Sequence, residues 1–432
     1  MITAWRSRHG IATIALGAIA SAVAANLLFN LAMAGRGHPY SGFLGPPADR
    51  WGDLLKMAMG FPGPQLHPAS WAELSDRIAL FQRQTDHFEG TPLNHFHMLP
   101  LSTLAGLAIR QLLAVADPGW AAVLCLGSVV AILVAVVARE APARSKWAFA
   151  LLALIAYPTL FAIDRGHLFS LSCGIALLSA TLRSLRLGRP DWIAILLFAV
   201  ALNIRPNAGL IPLSLFLFRR GWTFRDLVML GFATIAVFAT GMMAASAFYP
   251  DYNLASLLKG LSDYSKLHVV RDFGQAYNSS LFGAFHALFG YQYWAYALTI
   301  WTAAGILAAS CLAVWRRDIP DSSAVFLALS CVLFATPVNA DYHLIVFLAP
   351  LVLLAREAGR LDRSGWAVLV GCCFLLAPKN YLFHEAPGEA TWSWQVVANP
   401  AVTLAVCLFL LWNAIRAVPS EETAANEAFT AT

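Results

Sequence analysis

Long apolar runs alternate with short charged connections along almost the whole chain. The runs fall at 11–33, 119–138, 147–163, 168–184, 191–203, 208–218, 226–249, 292–314, 322–336, 343–355, 365–380 and 398–415. Such runs lack the ~10-residue alternation of barrel strands, so they predict α-helices buried in lipid. A full crossing needs about 20 residues. Several runs, notably 208–218 and 343–355, are shorter and predict tilted helices or ends that open into a cavity. The expected fold is all-α: one polytopic transmembrane helical bundle over 1–416, with about twelve spans (11 to 13) and juxtamembrane helices in a long first loop. The small, acidic tail at 417–432 predicts disorder.

The polar connections orient the bundle. Arg6 and Arg8 precede the first run, and no clear small-residue cleavage site follows it, which predicts a retained signal-anchor helix. Arg139/Arg144/Lys146, Arg183/Arg186/Arg189, Arg219/Arg220/Arg225, Arg316/Arg317, Arg356/Arg360/Arg363 and Arg416 fall in alternate connections. With Arg6 and Arg8 they make 17 of the 29 basic residues. Basic loops stay in the cytoplasm. Both termini are therefore expected inside a bacterial inner membrane, with 34–97 and 250–291 outside. This holds if 98–115, which contains Arg110 and runs into Asp117-Pro118-Gly119, is re-entrant or interfacial. If it crossed, there would be thirteen spans and the basic-loop rule would break locally.

Composition narrows the class. The chain is 59% hydrophobic and 12% charged, against about 25% charged in soluble domains, so a polytopic membrane protein is expected. All seven cysteines lie in apolar runs, and neither a disulfide nor a metal cluster is expected. No P-loop, dinucleotide fingerprint, zinc motif, nucleophile elbow or D-x-D is present. No cofactor and no nucleic-acid partner are expected.

Candidate chemistry gathers in the predicted outer connections. In A-D-R-W-G-D-L-L-K-M (48–57), Asp49 and Asp53 stand four residues apart with Arg50 between them. That is one helical turn, so both carboxylates share a face, and a carboxylate at the water edge is placed to act as a general base. I-D-R-G-H (163–167), N-I-R-P-N (203–207), P-V-N-A-D-Y-H (337–343) and K-N-Y-L-F-H-E (379–385) join spans on the same side. Each alone also reads as a polar turn, but several on one face point to a site. Pro206 and Pro337 would break helices there and free backbone groups. In 262–281, Lys266, His268 and Arg271 are spaced to hold an anionic group, or to form a solvated loop face.

These motifs resemble, in order, those of glycosyltransferase family 87, the polyprenyl-phosphate-mannose-dependent type with the GT-C fold. They are D-R-W-G-D (49–53), N-H-F-H-M-L-P-L (94–101), D-R-G-H-L (164–168), A-L-N-I-R-P-N (201–207), Y-N-S-S-L-F-G (277–283) and A-T-P-V-N-A-D-Y-H (335–343). The second departs from the family's aromatic-Pro-Pro-Leu run, having His95 and His97 and no Pro-Pro. The resemblance implies an inverting transferase that moves a hexose (mannose-like) or pentose from a polyprenyl-phosphate donor to a lipid or glycan acceptor on the outer face. It implies Asp53 as base, with Asp49 second. Arg205, His343, Lys266 and Arg271 would hold the donor phosphate without a metal, and Asp164, Arg165, His167, Asn203, Asn278 and Asp341 would complete the substrate site. Two other readings fit the span pattern. One is a transporter or lipid/polysaccharide flippase with an outward-facing polar cavity; the other is a non-catalytic export subunit.

Overall fold

The structure, a computed structural model, describes residues 9–33, 40–41, 51, 54, 99–265, 277–290, 292–316, 319–357, 361–379, 381–384 and 392–416. Its helices are α1 (His9–Met33), α2 (Pro100–Val115), α3 (Pro118–Glu140), α4 (Lys146–Ile155), α5 (Tyr157–Arg165), α6 (Leu168–Leu187), α7 (Trp192–Leu202), α8 (Leu210–Leu217), α9 (Phe224–Phe248), α10 (Leu254–Ser265), α11 (Leu281–Phe289), α12 (Tyr293–Arg316), α13 (Asp321–Ala335), α14 (Leu348–Glu357), α15 (Arg363–Leu376) and α16 (Gln395–Arg416). Two 3-10 turns, Pro206–Gly209 and Asp341–Phe347, lead into α8 and α14.

Local chemistry sets many of the starts. Asp117, Asp191, Ser280 and Asp362 each accept a backbone N–H from the first turn of the helix that follows. Thr223 and Asp226 cap α9 reciprocally. A cap of this kind contributes about 1 kcal/mol.

Among the described residues six helices, α1, α3, α6, α9, α12 and α16, are long and apolar enough to cross a membrane; the α4–α5 pair, bent by 44°, makes a seventh if counted as one broken span. Pro158 stands at the start of α5, where its missing N–H helps to break the helix. The protein thus has the architecture of a polytopic helical membrane bundle, but the expected count of about twelve spans is not met by length. The other apolar runs form helices of 8 to 16 residues, about 12–24 Å long, against ~30 Å of hydrocarbon. The reason is visible in α13 and α14. Every residue of α13 from Ser322 to Phe334 is buried, as is every residue of α14 from Leu348 to Ala355. Their apolarity reflects burial inside protein. By contrast α9 exposes Phe224, Phe232, Ile235, Met243 and Phe248, an apolar surface suited to lipid.

The bundle has two distinct ends. At one, basic residues are knitted together. Glu140 at the end of α3, 5% exposed, meets Arg356 of α14 at 2.7 Å and Arg186 of α6 at 3.1 Å. Arg356 also donates through Nε and Nη2 to the Glu140 carbonyl at 2.9 and 2.6 Å. Arg183 grips Asp191 with two nitrogens, and Arg220 meets Asp321 at 3.0 Å. Glu357 accepts from the backbone and hydroxyl of Ser322 at the start of α13. The opposite end gathers the turns after α5, α7 and α13, the start of α11 and the segments around Lys379 and Asn399. There Asn26 of α1 donates to Pro378 O at 3.0 Å.

Helix α2 returns to the end where it began. Leu99 and Leu104 pack with Ala245 and Tyr252, by the last turns of α9, and Gly241 abuts Pro100. Its far end, through Ile109 and Leu113, packs on Ala121 and Ala122 in the first turns of α3. Three short antiparallel strands, β1 (Tyr40–Ser41), β2 (Tyr381–His384) and β3 (Trp392–Ser393), pair in that order beside the all-α bundle, with Tyr40 opposite Leu382 and Phe383 opposite Ser393. They tie the loop after α1 to the loop before α16.

Candidate functional site

The polar end is built from turns that hydrogen-bond to one another. Asn278, fully buried, donates to Pro337 O at 2.9 Å and accepts from the backbone of Ser280 at 3.0 Å and of Asn339 at 2.8 Å. Ser279 N donates to Asn339 O at 2.7 Å, and Ser280 Oγ to Pro337 O at 2.7 Å. Arg205 donates to Asn339 Oδ1, and Asn207 to Thr336 Oγ1. The proline break at 337 exposes its carbonyl, which Asn278 and Ser280 satisfy. Asn278 is thus a scaffold residue that fixes the turn carrying Asp341 and His343. Asn203 donates to Ala199 O at 2.9 Å and Thr234 O at 3.1 Å, which fastens α7 to α9.

Asp341 is 1% exposed. Its Oδ1 accepts from Ser279 Oγ and from Asn399 Nδ2 at 3.2 Å, and Asn399 also donates to Ser279 Oγ at 2.7 Å. Burial pushes the Asp341 carboxyl up to about 6, against the opposing pull of the Ser279 hydroxyl, the Lys379 charge and Asn399. Burial lowers Lys379 to about 8, with Asp341 acting in the opposite sense. Lys379 remains partly exposed, lies 4.7 Å from the centre of the Phe374 ring and donates to Ala377 O at 3.1 Å. Such a carboxylate, held by several donors, anchors the segment electrostatically.

The D-R-G-H turn meets this assembly from the other side. His343 Nε2 lies 2.8 Å from Ser170 Oγ in the first turn of α6, and its Nδ1 is buried with no hydrogen-bond partner among the described residues. His167 caps α6, its Nδ1 accepting from Ser170 N at 3.3 Å. The His167 ring centre lies 4.2 Å from that of Tyr342 and 6.4 Å from that of His343. Arg205 stands close enough to His343 for its charge to act on the ring. Arg165 sits 6.0 Å from the centre of the Tyr277 ring. Asp164 is buried, and its backbone carbonyl accepts from Trp51 N at 2.7 Å.

That last bond brings the first long loop to the site. Trp51 takes a left-handed backbone, φ 56°, which costs about 1–2 kcal/mol for a residue with a Cβ. Leu54 is fully buried against α2 and α3. Both press on Gly166 (φ +74°), where an added Cβ would lie 2.8 Å from Leu54 Cβ and 3.0 Å from both Leu54 N and Trp51 Cα. Asp49 and Asp53, the expected bases, lie outside the described residues, as do Lys266 and Arg271.

Of the residues expected from sequence, the structure brings together Asp164, Arg165, His167, Arg205, Asn278, Asp341 and His343. Sequence reading did not single out Ser170, Ser279, Asn339 or Asn399. Asn399 had a signal, since it precedes Pro400 in an otherwise apolar run. Ser279 and Asn339 lie inside the quoted motifs Y-N-S-S-L-F-G and P-V-N-A-D-Y-H, while Ser170 carries no signal. No protein-family model, curated protein or solved structure matches this chain.

Proposed function

We propose that the chain is an inverting membrane glycosyltransferase with a GT-C-like arrangement. It moves a hexose (mannose-like) or pentose from polyprenyl phosphate to a lipid or glycan acceptor. The observation that carries the reading is the convergence of Arg205, His343, His167 and Arg165 at one end of the bundle. The Asp164–Gly166 turn there is docked by Trp51 and Leu54 of the carboxylate-bearing loop. In this proposal the short helices join across their breaks to give twelve passes. The knitted basic end faces the cytoplasm, and the polar end faces outward.

The reaction needs a base and a cationic cradle. Asp53 takes the proton of the acceptor hydroxyl, with Asp49 holding its helix start. The freed oxygen pair forms a bond to the anomeric carbon from the face opposite the phosphate. The carbon–phosphate-oxygen bond breaks, and its electrons leave with the polyprenyl phosphate. Arg205, with Lys266 and Arg271 of the second loop, meets that charge, and His343 adds a hydrogen bond. Cationic donors placed where charge develops lower such barriers by several kcal/mol. The buried, unpartnered Nδ1 of His343 supports a ligand at this place.

The test is a transfer assay with purified protein in nanodiscs and a panel of polyprenyl-phosphate hexoses and pentoses beside nucleotide sugars. The lipid donors support transfer, and Asp53→Asn lowers turnover at least ~10²-fold with donor binding kept. Transfer from a nucleotide sugar alone, or an Asp53→Asn variant at full rate, overturns the reading. Orientation is checked by labelling single cysteines at Ser70 and Ser262 in intact cells; protection of both from an impermeant reagent overturns the outward site.

A further inference from the structure

At the basic end, the chain leaves α8 through a turn that its sequence does not favour. Arg219 N donates to Phe216 O at 3.0 Å, and Arg220 N to Leu215 O at 2.8 Å. This pair of bonds closes a helix end around one left-handed residue, a place that favours glycine. Here the residue is Arg219, at φ 56°. The nearby Gly221 is needed for another purpose, since a Cβ on it would lie 1.9 Å from Gly188 O. A left-handed residue with a side chain is strained, and strain of this kind points to a task for that side chain.

The task is legible in what Arg219 meets. Its guanidinium carbon lies 5.3 Å from the centre of the Trp315 ring, in the last turn of α12. Trp315 is 56% exposed, yet its Nε1–H donates to Leu217 O at 3.0 Å, so the ring is fixed in place while it stays open. Arg219 is exposed as well. The acids of these segments are engaged elsewhere: Asp321 with Arg220 at 3.0 Å, and Asp226 with Thr223 in the cap of α9. Among the described residues, no carboxylate pairs with Arg219. Arg316, beside Trp315, and Arg225, in the first turn of α9, are exposed and add positive charge to the segments that flank the pair.

The surroundings select among anions. Exposed indoles mark the level of a membrane interface. Trp147, Trp192, Trp366 and Trp412 are exposed at the same end as Trp315. Lys146 and Arg416 stand over Trp147 and Trp412 at 5.2 and 3.9 Å. Those two pairs are neighbours on one helix, whereas the fold brings Arg219 and Trp315 together from two segments. From Trp315 back along α12, one face stays open through Leu312, Ala308, Gly305 and Trp301 at helical spacing. A Cβ on Gly305 would meet nothing within 4 Å. An acyl chain fits along that face. A soluble phosphate would use the guanidinium and leave the indole and the apolar face without a partner.

We propose that the Arg219–Trp315 corner binds an anionic phospholipid of the phosphatidylglycerol type, with an acyl chain along Leu312, Ala308 and Gly305. The planar guanidinium donates to the phosphodiester as a fork. Basic pockets between membrane helices take anionic headgroups in this way. A zwitterionic headgroup brings its own cation and gains less. The site stands independently of the transferase reading.

Native mass spectrometry of the full chain, with phosphatidylglycerol and phosphatidylcholine of matched acyl chains, tests the site. Wild type binds phosphatidylglycerol more tightly. Arg219→Gly suits the left-handed turn and keeps the fold. It weakens phosphatidylglycerol about five-fold, the scale of one basic residue at an anionic surface, and leaves phosphatidylcholine unchanged. Arg144→Ala, which removes another exposed charge from the same end, keeps the preference. A wild type that binds both lipids alike overturns the site, as does a preference that survives Arg219→Gly. Equal loss of both lipids in Arg219→Gly marks a structural role and overturns it too. So does a loss in Arg144→Ala as large as in Arg219→Gly, because the preference then belongs to the diffuse charge of the whole end.

Discussion

Gly166→Ala is the sharpest perturbation available, because the structure supplies its own control. Gly166 and Gly188 both end helices in the left-handed region, at φ +74° and +67°, and an alanine costs about 1–2 kcal/mol at each. A Cβ on Gly188 meets nothing within 4 Å, whereas on Gly166 it would meet Leu54 and Trp51 at 2.8–3.0 Å, two of the three contacts being backbone. Backbone cannot swing aside as a side-chain tip can, so the segment through 51 and 54 must lift. Its docking gains about 1.5–3 kcal/mol from burying Leu54 and about 0.5–1.5 kcal/mol from the Trp51 N–H bond to Asp164. Subtracting about 1–2 kcal/mol for the strained Trp51 backbone leaves about 2 kcal/mol at mid-range. That amounts to protecting the Trp51 amide about 20-fold. Hydrogen exchange on the membrane-embedded protein reads this amide directly. The expected result is that Gly166→Ala loses more melting stability than Gly188→Ala, by about the docking energy, and that it alone loses the Trp51 protection and, on the proposed function, the transfer rate. Equal protection of Trp51 in the two variants would refute the docking argument, whatever the activity.

Other outcomes follow from the same contacts. Arg205→Ala and His343→Ala each weaken donor-lipid binding by about 1–3 kcal/mol, the scale of a charge-assisted bond; unchanged affinity in both removes them from the site. The raised Asp341 carboxyl takes up a proton on folding between its ordinary 3.8 and about 6. Wild-type stability therefore gains about 3 kcal/mol over Asp341→Asn as pH falls through that window, and the gain is lost as pH rises past 6. A flat difference between pH 4 and 7 in paired melts contradicts it. Arg356→Ala strands much of the Glu140 carboxylate, to which, among the described residues, Arg186 at 3.1 Å and Arg139 at 4.0 Å still reach. It costs about 3 kcal/mol, the low end for a broken buried pair; a melting temperature within a degree of wild type sinks this estimate.

The sequence made the helical bundle plain, because apolar runs of this kind have few other fates. Span length was less legible. The run at 322–336 reads like a lipid-facing helix, yet α13 is enclosed on all sides, and hydrophobicity is blind to whether the neighbour is lipid or protein. At the site, Asp164, His167, Arg205 and His343 stood out as charged or titratable groups between apolar runs. Their partners did not, since Ser170 and Ser279 are small hydroxyls whose importance lies in contacts across 173 and 62 residues of chain. The latch at Trp51 was hidden for a different reason. Nothing in D-R-W-G-D marks the tryptophan as left-handed, and the pressure on Gly166 appears only when the two segments meet.

The junction around Glu140 also sets an order of birth. Arg186 is made 46 residues after Glu140, and Arg356 is made 216 residues after it. At about 5–20 residues per second on the ribosome, the second interval lasts about 10–40 s. Through that time α3 and α6 can find each other, but the third helix of the junction does not yet exist. The clasp is completed only when α14 arrives, so the first half of the bundle stays loosely tied while the second half is threaded in. Closure at that end is then the molecule's own signal that the later helices have taken their places.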